Sequence, residues 1–192
     1  MVNSAIPKYM YNLITDITPE DLRKMGVRAV GIDLDNTTVY DSGLKILSGV
    51  PEWILKVKQA GFLVCIVTNT FTLRAAIIGK RLNVPYYAMS DKPKSKNVIK
   101  AAQKAGIDIS EFALVGDRLF TDVVAANEAG AISIKTEPFQ NEKLFRRSME
   151  KKRDKETSFM IKHRPEFPKI MHKDRDRNDK NRKPRRFTSR EN

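Results

Sequence analysis

From residue 27 to residue 135, short apolar runs alternate with amphipathic stretches. Residues 27–34 (VRAVGIDL) and 63–67 (LVCIV) are apolar almost throughout, as strands covered on both faces of a sheet must be. Shorter strands are predicted at 86–89, 113–115 and 131–134. Between them the spacing lengthens to that of a helix, at 51–60, 73–82, 95–105 and 121–129. The punctuation agrees. Pro51 suits a first helical turn, and Gly61, Gly106 and Gly130 stand just past helix ends. Ahead of the first strand, Thr18 is a candidate N-cap, with Pro19, Glu20 and Asp21 in the first turn and Gly26 after the last. Strands alternating with helices predict parallel strands joined by right-handed crossovers, hence an α/β doubly wound sheet.

That pattern stops near residue 140. A helix over residues 141–153 has only Leu144 and Met149 as clear anchors. Residues 169–192 carry ten Lys and Arg against four Asp and Glu, with little that is apolar. Such a stretch cannot bury enough surface to fold alone. Charge divides at the same place: the net is +3 over residues 1–140 and +10 over residues 141–192. The expected organisation is a folded domain over 1–140 and a basic, disordered C-terminal extension over 141–192. A single cysteine, Cys65, excludes an intrachain disulfide and sits mid-strand like a small core residue. No apolar run approaches the ~20 residues of a membrane span, and residues 1–8 lack the charged start and apolar stretch of a secretory signal. The expected setting is cytoplasmic, with peripheral membrane contact open.

Two segments bear on that contact. The patch Tyr9-Met10-Tyr11-Asn12-Leu13-Ile14 either packs on the domain, the reading its composition favours, or dips into a bilayer interface. The basic extension either stays solvated, meets anionic lipid, or binds RNA non-specifically. Its aromatic residues are sparse, Phe159, Phe167 and Phe187, which gives base stacking little support.

In a doubly wound sheet, ligands bind outside the carboxyl ends of the strands. Here those ends carry Asp33-Leu34-Asp35-Asn36-Thr37-Thr38, then Thr68-Asn69-Thr70, then Asp91-Lys92-Pro93, then Gly116-Asp117 with Asp122 five residues on. Asp33, Asp35 and Asp117 would be clustered carboxylates, which need a neutralising cation. Hard oxygen ligands suit Mg²⁺. Thr68, the amides beside it and Lys92 would add donors and positive charge. Such a rim fits a phosphate ester held beside a metal, where a flanked carboxylate can attack phosphorus. Dinucleotide binding lacks its GxGxxG, and there is no GxxxxGK[ST] phosphate loop. A receiver-type phosphoacceptor domain would place its lysine last, whereas Lys92 precedes the final acids. Each residue alone has a plainer reading: a turn acid for Asp33 or Asp35, a surface lysine for Lys92, a helix-dipole acid for Asp122. Their joint order argues for a site.

Taken together, Asp33-x-Asp35-x-Thr37, Thr68, Lys92-Pro93 and Gly116-Asp117-x-x-x-x-Asp122 resemble, in order, the four motifs of the haloacid dehalogenase-like (HAD) phosphatases. More narrowly, the chain is similar to the YqeG group of subclass IIIA. It shares with that group an Ile17-Thr18-Pro19-Glu20 run, Asp35-Asn36-Thr37, Lys92-Pro93, and Leu119 with Thr121-Asp122 after the Gly-Asp pair. The likeness covers roughly residues 7 to 140.

The resemblance implies a Rossmann-like HAD fold and a set of roles. Asp33 would be the nucleophile that forms an aspartyl-phosphate. Asp35 would be general acid for the leaving alcohol and then base for water. Thr37 would orient Asp35, Thr68 with Asn69 would meet the phosphoryl group, and Lys92 would neutralise nucleophile and phosphoryl oxygens. Mg²⁺ would sit on Asp33, the backbone carbonyl of Asp35, and Asp117, with Asp122 holding Lys92 or a metal-bound water. Two positions depart from the family pattern: Thr38 stands where an aliphatic residue is usual, and Thr68-Asn69-Thr70 where Ser-Asn-Asn is commoner. The spacing between motifs leaves no room for a cap domain, so the rim is open to a phosphate on a bulky carrier. The YqeG group is similar in this to phosphatidylglycerophosphate phosphatases, which makes a phospholipid headgroup phosphate the leading expected substrate. A soluble phosphometabolite or nucleotide is the alternative, and an RNA- or ribosome-associated protein on the same fold is the alternative of another class.

Overall fold

The computed structural model describes residues 3–40, 43–139 and 147–171. Its strands are β1 (Tyr9–Tyr11), β2 (Ala29–Ile32), β3 (Leu63–Val67), β4 (Tyr86–Tyr87), β5 (Phe112–Gly116) and β6 (Ile132–Thr136). Its helices are α1 (Pro19–Lys24), α2 (Val50–Gln59), α3 (Thr72–Leu82), α4 (Lys96–Lys104), α5 (Val124–Ala129) and α6 (Arg147–Lys162). The strands form one parallel sheet in the order β1-β6-β5-β2-β3-β4. This is the doubly wound α/β sheet that the alternation of apolar runs predicts.

Side-chain alternation divides the core between the two faces. Val30, Ile32, Val64 and Ile66 pack with Trp53, Ile54 and Val57 of α2 and with Ile78 and Leu82 of α3. Ala29, Cys65, Val67, Phe112 and Leu114 meet Val98, Ala101 and Ala102 of α4 and Ala125, Ala126 and Ala129 of α5. Alanines on α4 and α5 let those helices approach the sheet closely. Thr18 caps α1 as its sequence predicts: its hydroxyl oxygen accepts from the Asp21 N–H (3.1 Å), and Asp21 accepts from the Thr18 N–H (2.9 Å).

The connectivity places the site. From β2 the chain winds outward through β3 and β4, then crosses back through α4 to β5 on the other flank of β2. The strand order therefore reverses between β2 and β5, and a crevice opens at their carboxyl ends.

The structure differs from the sequence expectation in two places. The Tyr9–Tyr11 segment is a sixth strand: it pairs with β6 in the register Tyr9↔Ile134, Met10↔Lys135, Tyr11↔Thr136. Met10, Tyr11 and Ile14 are buried. The N-terminal patch therefore packs into the domain, and the bilayer reading of it is corrected. A three-residue strand is too short to show a period, so the sequence did not resolve it. The second difference is α6, which lies within the extension expected to be disordered. Its Phe159 ring packs edge-on against Phe120 and Phe167 (5.4 and 6.1 Å between centroids). Beyond it the chain returns to the sheet edge, where the Met171 N–H donates to the Met10 carbonyl (2.9 Å). Sparse anchors suffice here because the partners are supplied by the domain. Residues 141–146 and 172–192 lie outside the described residues, and so does the expectation made for them.

Candidate active site

Asp33 follows directly on β2, and its N–H donates to the Val115 carbonyl (2.9 Å), extending the ladder to the strand end. The Thr38 hydroxyl donates to the Asp33 carbonyl (2.6 Å) and ties the returning loop to the same point. An aliphatic side chain there would forfeit this bond, so the departure at position 38 has a local use. Asn36 takes φ 60°, a left-handed turn that asparagine tolerates, immediately after Asp35. Thr37 is buried inside that turn.

Lys92 reaches this corner from the loop after β4. Its ammonium donates to Asp33 (2.7 Å), to Asp122 (2.5 Å) and to the Val67 carbonyl (2.8 Å). Asn69 fixes the lysine's backbone: its side-chain oxygen accepts from the Lys92 N–H (2.8 Å), and its amide nitrogen donates to the Lys92 carbonyl (2.9 Å). Asn69, grouped with the phosphate-contacting residues in the sequence reading, thus has both ends of its side chain on the lysine. Thr68 is buried at the end of β3, and its hydroxyl accepts from the Thr70 N–H (3.3 Å).

Asp117 directly follows β5, and Asp122 lies in a π-helical turn, Leu119–Val123, ahead of α5. A Cβ at Gly116 would fall 2.3 Å from the Asp122 carboxyl carbon, so only glycine lets this carboxylate come so close to the strand end. Asp33, Asp117 and Asp122 offer carboxylate oxygens within 4.8 Å of one another. Burial is the main force on their protonation. It raises Asp33 to about 7, with Lys92 opposing and the Asp122 and Asp117 charges adding. It raises Asp117 to about 6, with Arg153 opposing. Burial alone would lower Lys92, but Asp122 and Asp33 outweigh it and hold the ammonium above its usual range. Asp117 Oδ1 is buried and makes no hydrogen bond among the described residues. Three converging hard oxygen donors, one of them unpartnered, fit a divalent cation.

Asp35 points elsewhere. Arg74 of α3 holds both its oxygens, Nη2 to Oδ1 at 2.7 Å and Nη1 to Oδ2 at 2.9 Å. The same guanidinium donates to the Gly43 carbonyl and the Thr70 hydroxyl. Asp35 is therefore not a member of the three-carboxylate cluster. Of the residues read from sequence, Asp33, Lys92, Asp117 and Asp122 converge, Asn69 holds the Lys92 backbone, Thr68 is buried just past β3, and Asp35 is held by Arg74 with Thr37 in the adjoining turn.

Sequence reasoning missed the arginines. Arg74 is one basic residue in an ordinary amphipathic helix pattern. Arg153 was hidden in a charge run, yet from α6 it donates to the Asp117 carboxylate and, at 3.2 Å, to the Asp117 carbonyl. One turn on, Glu156 accepts from Arg118 Nε (3.1 Å) and from the Phe120 N–H (3.2 Å). Buried Glu156 is thus the second tie between α6 and the loop that carries Asp117.

Known proteins share this arrangement's sequence frame. The model of the haloacid dehalogenase-like hydrolases matches residues 7–130. The chain is 29% identical over 133 residues to the probable phosphatase YqeG of Bacillus subtilis (strain 168), across 69% of this chain and 77% of that protein. It is 26% identical over 149 residues to N-acetylmuramic acid 6-phosphate phosphatase of Pseudomonas aeruginosa, across 66% of each. A solved structure, an uncharacterized protein from Listeria monocytogenes serotype 4b, aligns with a TM-score of 0.50 and 21% identity over 62% of this chain and 85% of that one, a likeness of fold. The matched span contains the three carboxylates and Lys92, while α6 lies beyond it. The chain belongs to the haloacid dehalogenase-like hydrolase family and is an enzyme of the phosphatase type within it.

Proposed function

We propose that the chain hydrolyses phosphomonoesters through a covalent intermediate on Asp33. The observation that carries this reading is the Lys92 ammonium shared between Asp33 and Asp122 beside the open oxygen of Asp117. Asp33, Asp117 and Asp122 would hold Mg²⁺, which when bound offsets charge on the phosphoryl oxygens. Lys92 binds Oδ1 of Asp33 and partly neutralises the carboxylate, and the other oxygen would attack phosphorus. A bond forms from Asp33 to phosphorus as the bond from phosphorus to the alcohol oxygen breaks, and Asp35 gives that oxygen its proton. Water then attacks the phosphorus of the aspartyl-phosphate, Asp35 takes its proton, and the acyl phosphate bond breaks to return Asp33 and release phosphate. Arg74 takes one lone pair on each Asp35 oxygen, so each oxygen keeps another for the proton it gives or takes. Thr68 and the amides after β3 supply donors to the phosphoryl group.

The substrate we infer is a phospholipid headgroup phosphate, phosphatidylglycerophosphate being the leading candidate. The described residues between Asp35 and Thr68 form a loop, α2 and β3, and those between Thr68 and Lys92 form α3 and β4. Neither stretch builds a cap, which supports a substrate on a bulky carrier. The likeness to N-acetylmuramic acid 6-phosphate phosphatase favours the second reading, a soluble phosphomonoester. No helix among the described residues is long and apolar enough to cross a membrane.

The test is phosphate release with Mg²⁺ from phosphatidylglycerophosphate and from a panel of soluble phosphomonoesters, beside Asp33→Asn. We expect preferential turnover of the lipid, reduced more than about a thousandfold in the variant. Turnover of soluble esters alone would keep the chemistry and discard the lipid. Equal turnover by the variant would discard the nucleophile.

A further inference from the structure

Four large apolar side chains stand in solvent beside the site: Phe71 (62% exposed), Leu73 (69%), Met89 (67%) and Leu44 (40%). They come from three chain segments that hydrogen bonds tie together. The Met89 N–H donates to the Thr70 carbonyl (2.9 Å). Arg74 donates to the Gly43 carbonyl from Nε (3.1 Å) and Nη2 (2.9 Å), and Arg81 Nη1 donates to the Leu44 carbonyl (3.0 Å). Residues 43–45, 70–74 and 89–92 therefore make one lip. It adjoins the chemistry directly, since Arg74 holds Asp35 and Asn69 holds the Lys92 backbone.

The charge on this lip is mainly positive. Lys45, Lys80, Arg81, Lys94 and Lys96 are exposed around it. Across residues 43–49, 69–82 and 88–97 the single acid is Asp91, and Lys94 pairs with it (2.6 Å). Exposed apolar residues flanked by cations in excess over acids are the composition of surfaces that lie in an anionic bilayer interface. Three of the four apolar groups are aliphatic, which suits acyl chains. Base stacking needs planar rings, and Phe71 is the one such ring here.

We propose that this lip is a docking surface for a bilayer containing anionic phospholipid. Phe71, Leu73, Met89 and Leu44 enter the boundary between headgroups and acyl chains, and Lys45, Lys80, Arg81 and Lys96 meet lipid phosphates. Docked in this way, the mouth beside Asp35 faces the headgroup layer, where a phosphomonoester on a lipid is presented. The proposal rests on the lipid-substrate reading above for its purpose, but its physical content is separate.

The test is flotation of the full chain with phosphatidylcholine vesicles, with and without phosphatidylglycerol, for the wild type and for Phe71→Ser/Leu73→Ser/Met89→Ser. We expect wild type to float with the phosphatidylglycerol vesicles, and the triple variant to lose about thirtyfold or more in partition. Its turnover of p-nitrophenyl phosphate should stay within about twofold of wild type, since none of the three residues belongs to the catalytic corner. Equal partition of variant and wild type would overturn the proposal. So would an absence of vesicle binding together with single-stranded RNA binding that the triple variant loses, which would make the lip a nucleic-acid surface. If wild type floats and the variant does not, yet neither releases phosphate from phosphatidylglycerophosphate, the docking surface stands and the substrate reading falls. If the two turn over that lipid equally in detergent micelles and neither floats, the substrate reading stands and the docking surface falls.

Discussion

Two buried cation–carboxylate corners meet at the end of the sheet, and they are built differently. At one, Lys92 bridges Asp33 and Asp122 and reaches the Val67 carbonyl. Every partner comes from a strand end or from the turn that leads from it into the next helix, within the span shared with the family. At the other, Arg153 holds Asp117 and Glu156 holds Arg118. There the cation comes from α6, beyond that span. The first corner is part of the fold, because the strands that make the sheet also deliver the charges. The second depends on a separate helix docking. Their difference teaches that the carboxylate between them, Asp117, is served by two kinds of structure: its position is fixed by β5, and its neutralisation by the extension.

The sharpest way to break the comparison is to remove the shared cation. Lys92→Ala leaves Asp33 and Asp122 buried together without their ammonium. Breaking a buried pair from one side costs about 3–5 kcal/mol, and the loss should appear in chemical denaturation as a lower midpoint. Activity should fall by at least about a hundredfold, because the group that stabilises charge at Asp33 is gone. Lys92→Arg should recover part of the stability, and little activity, since a planar fork cannot occupy an ammonium's three-donor position. A variant as stable as wild type would mean that the two acids share a proton and need no cation.

The same contrast explains what could be read from the sequence. Apolar runs of strand length, and the glycines past the helix ends, disclosed the central strands and the helices between them. Asp33, Lys92, Asp117 and Asp122 could be read because parallel strands set their carboxyl ends side by side, so order along the chain becomes proximity at one rim. β1 could not, because Tyr9-Met10-Tyr11 holds too few residues to show alternation. Arg74 could not, because nothing local distinguishes an arginine that reaches back to Asp35 from one in water. Arg153 and Glu156 were the least legible. Their partners lie 36 and 38 residues earlier, and the surrounding charges look like a solvated face. Composition correctly shows that α6 has little apolar surface of its own, but it cannot show that the domain supplies the missing partners.

Arg153→Ala tests the second corner, with a smaller expected effect. Arg153 holds one carboxylate oxygen of Asp117 while Oδ1 stays without a hydrogen bond. Removing a partner that orients a metal ligand typically costs about 10–100-fold in metal affinity or activity. Here we expect the low end, about tenfold in Mg²⁺ affinity by calorimetry, with Arg153→Lys intermediate. Because α6 keeps its Glu156 ties, the fold should change little, and the far-ultraviolet circular dichroism should be unaltered. Tighter Mg²⁺ binding in Arg153→Ala would reverse the interpretation, making the guanidinium a competitor for Asp117 in place of a support.

Both corners also share a pH dependence. Asp33 is raised to about 7 and Asp117 to about 6, in each case chiefly by burial, from an ordinary 3.8. Between those limits the folded chain binds more protons than the unfolded chain, so stability must fall as pH rises. The contribution is complete below 3.8, and it is lost as pH climbs through about 6 and 7. A divalent cation needs these carboxylates without their protons, so its binding releases protons and strengthens over the same interval. In chelator, the thermal midpoint should therefore drop from about pH 5 to about pH 8, and the increment produced by Mg²⁺ should grow. Arg153→Ala separates the corners: without that cation Asp117 loses a force that lowers it, so the decline attributable to Asp117 should move to higher pH. Asp33 should move slightly the other way, because the Asp117 charge is one of the forces that raise it. A midpoint in chelator that rises with pH would mean that these acids are ionised throughout, held by Lys92 and Arg153 strongly enough to cancel the cost of their burial.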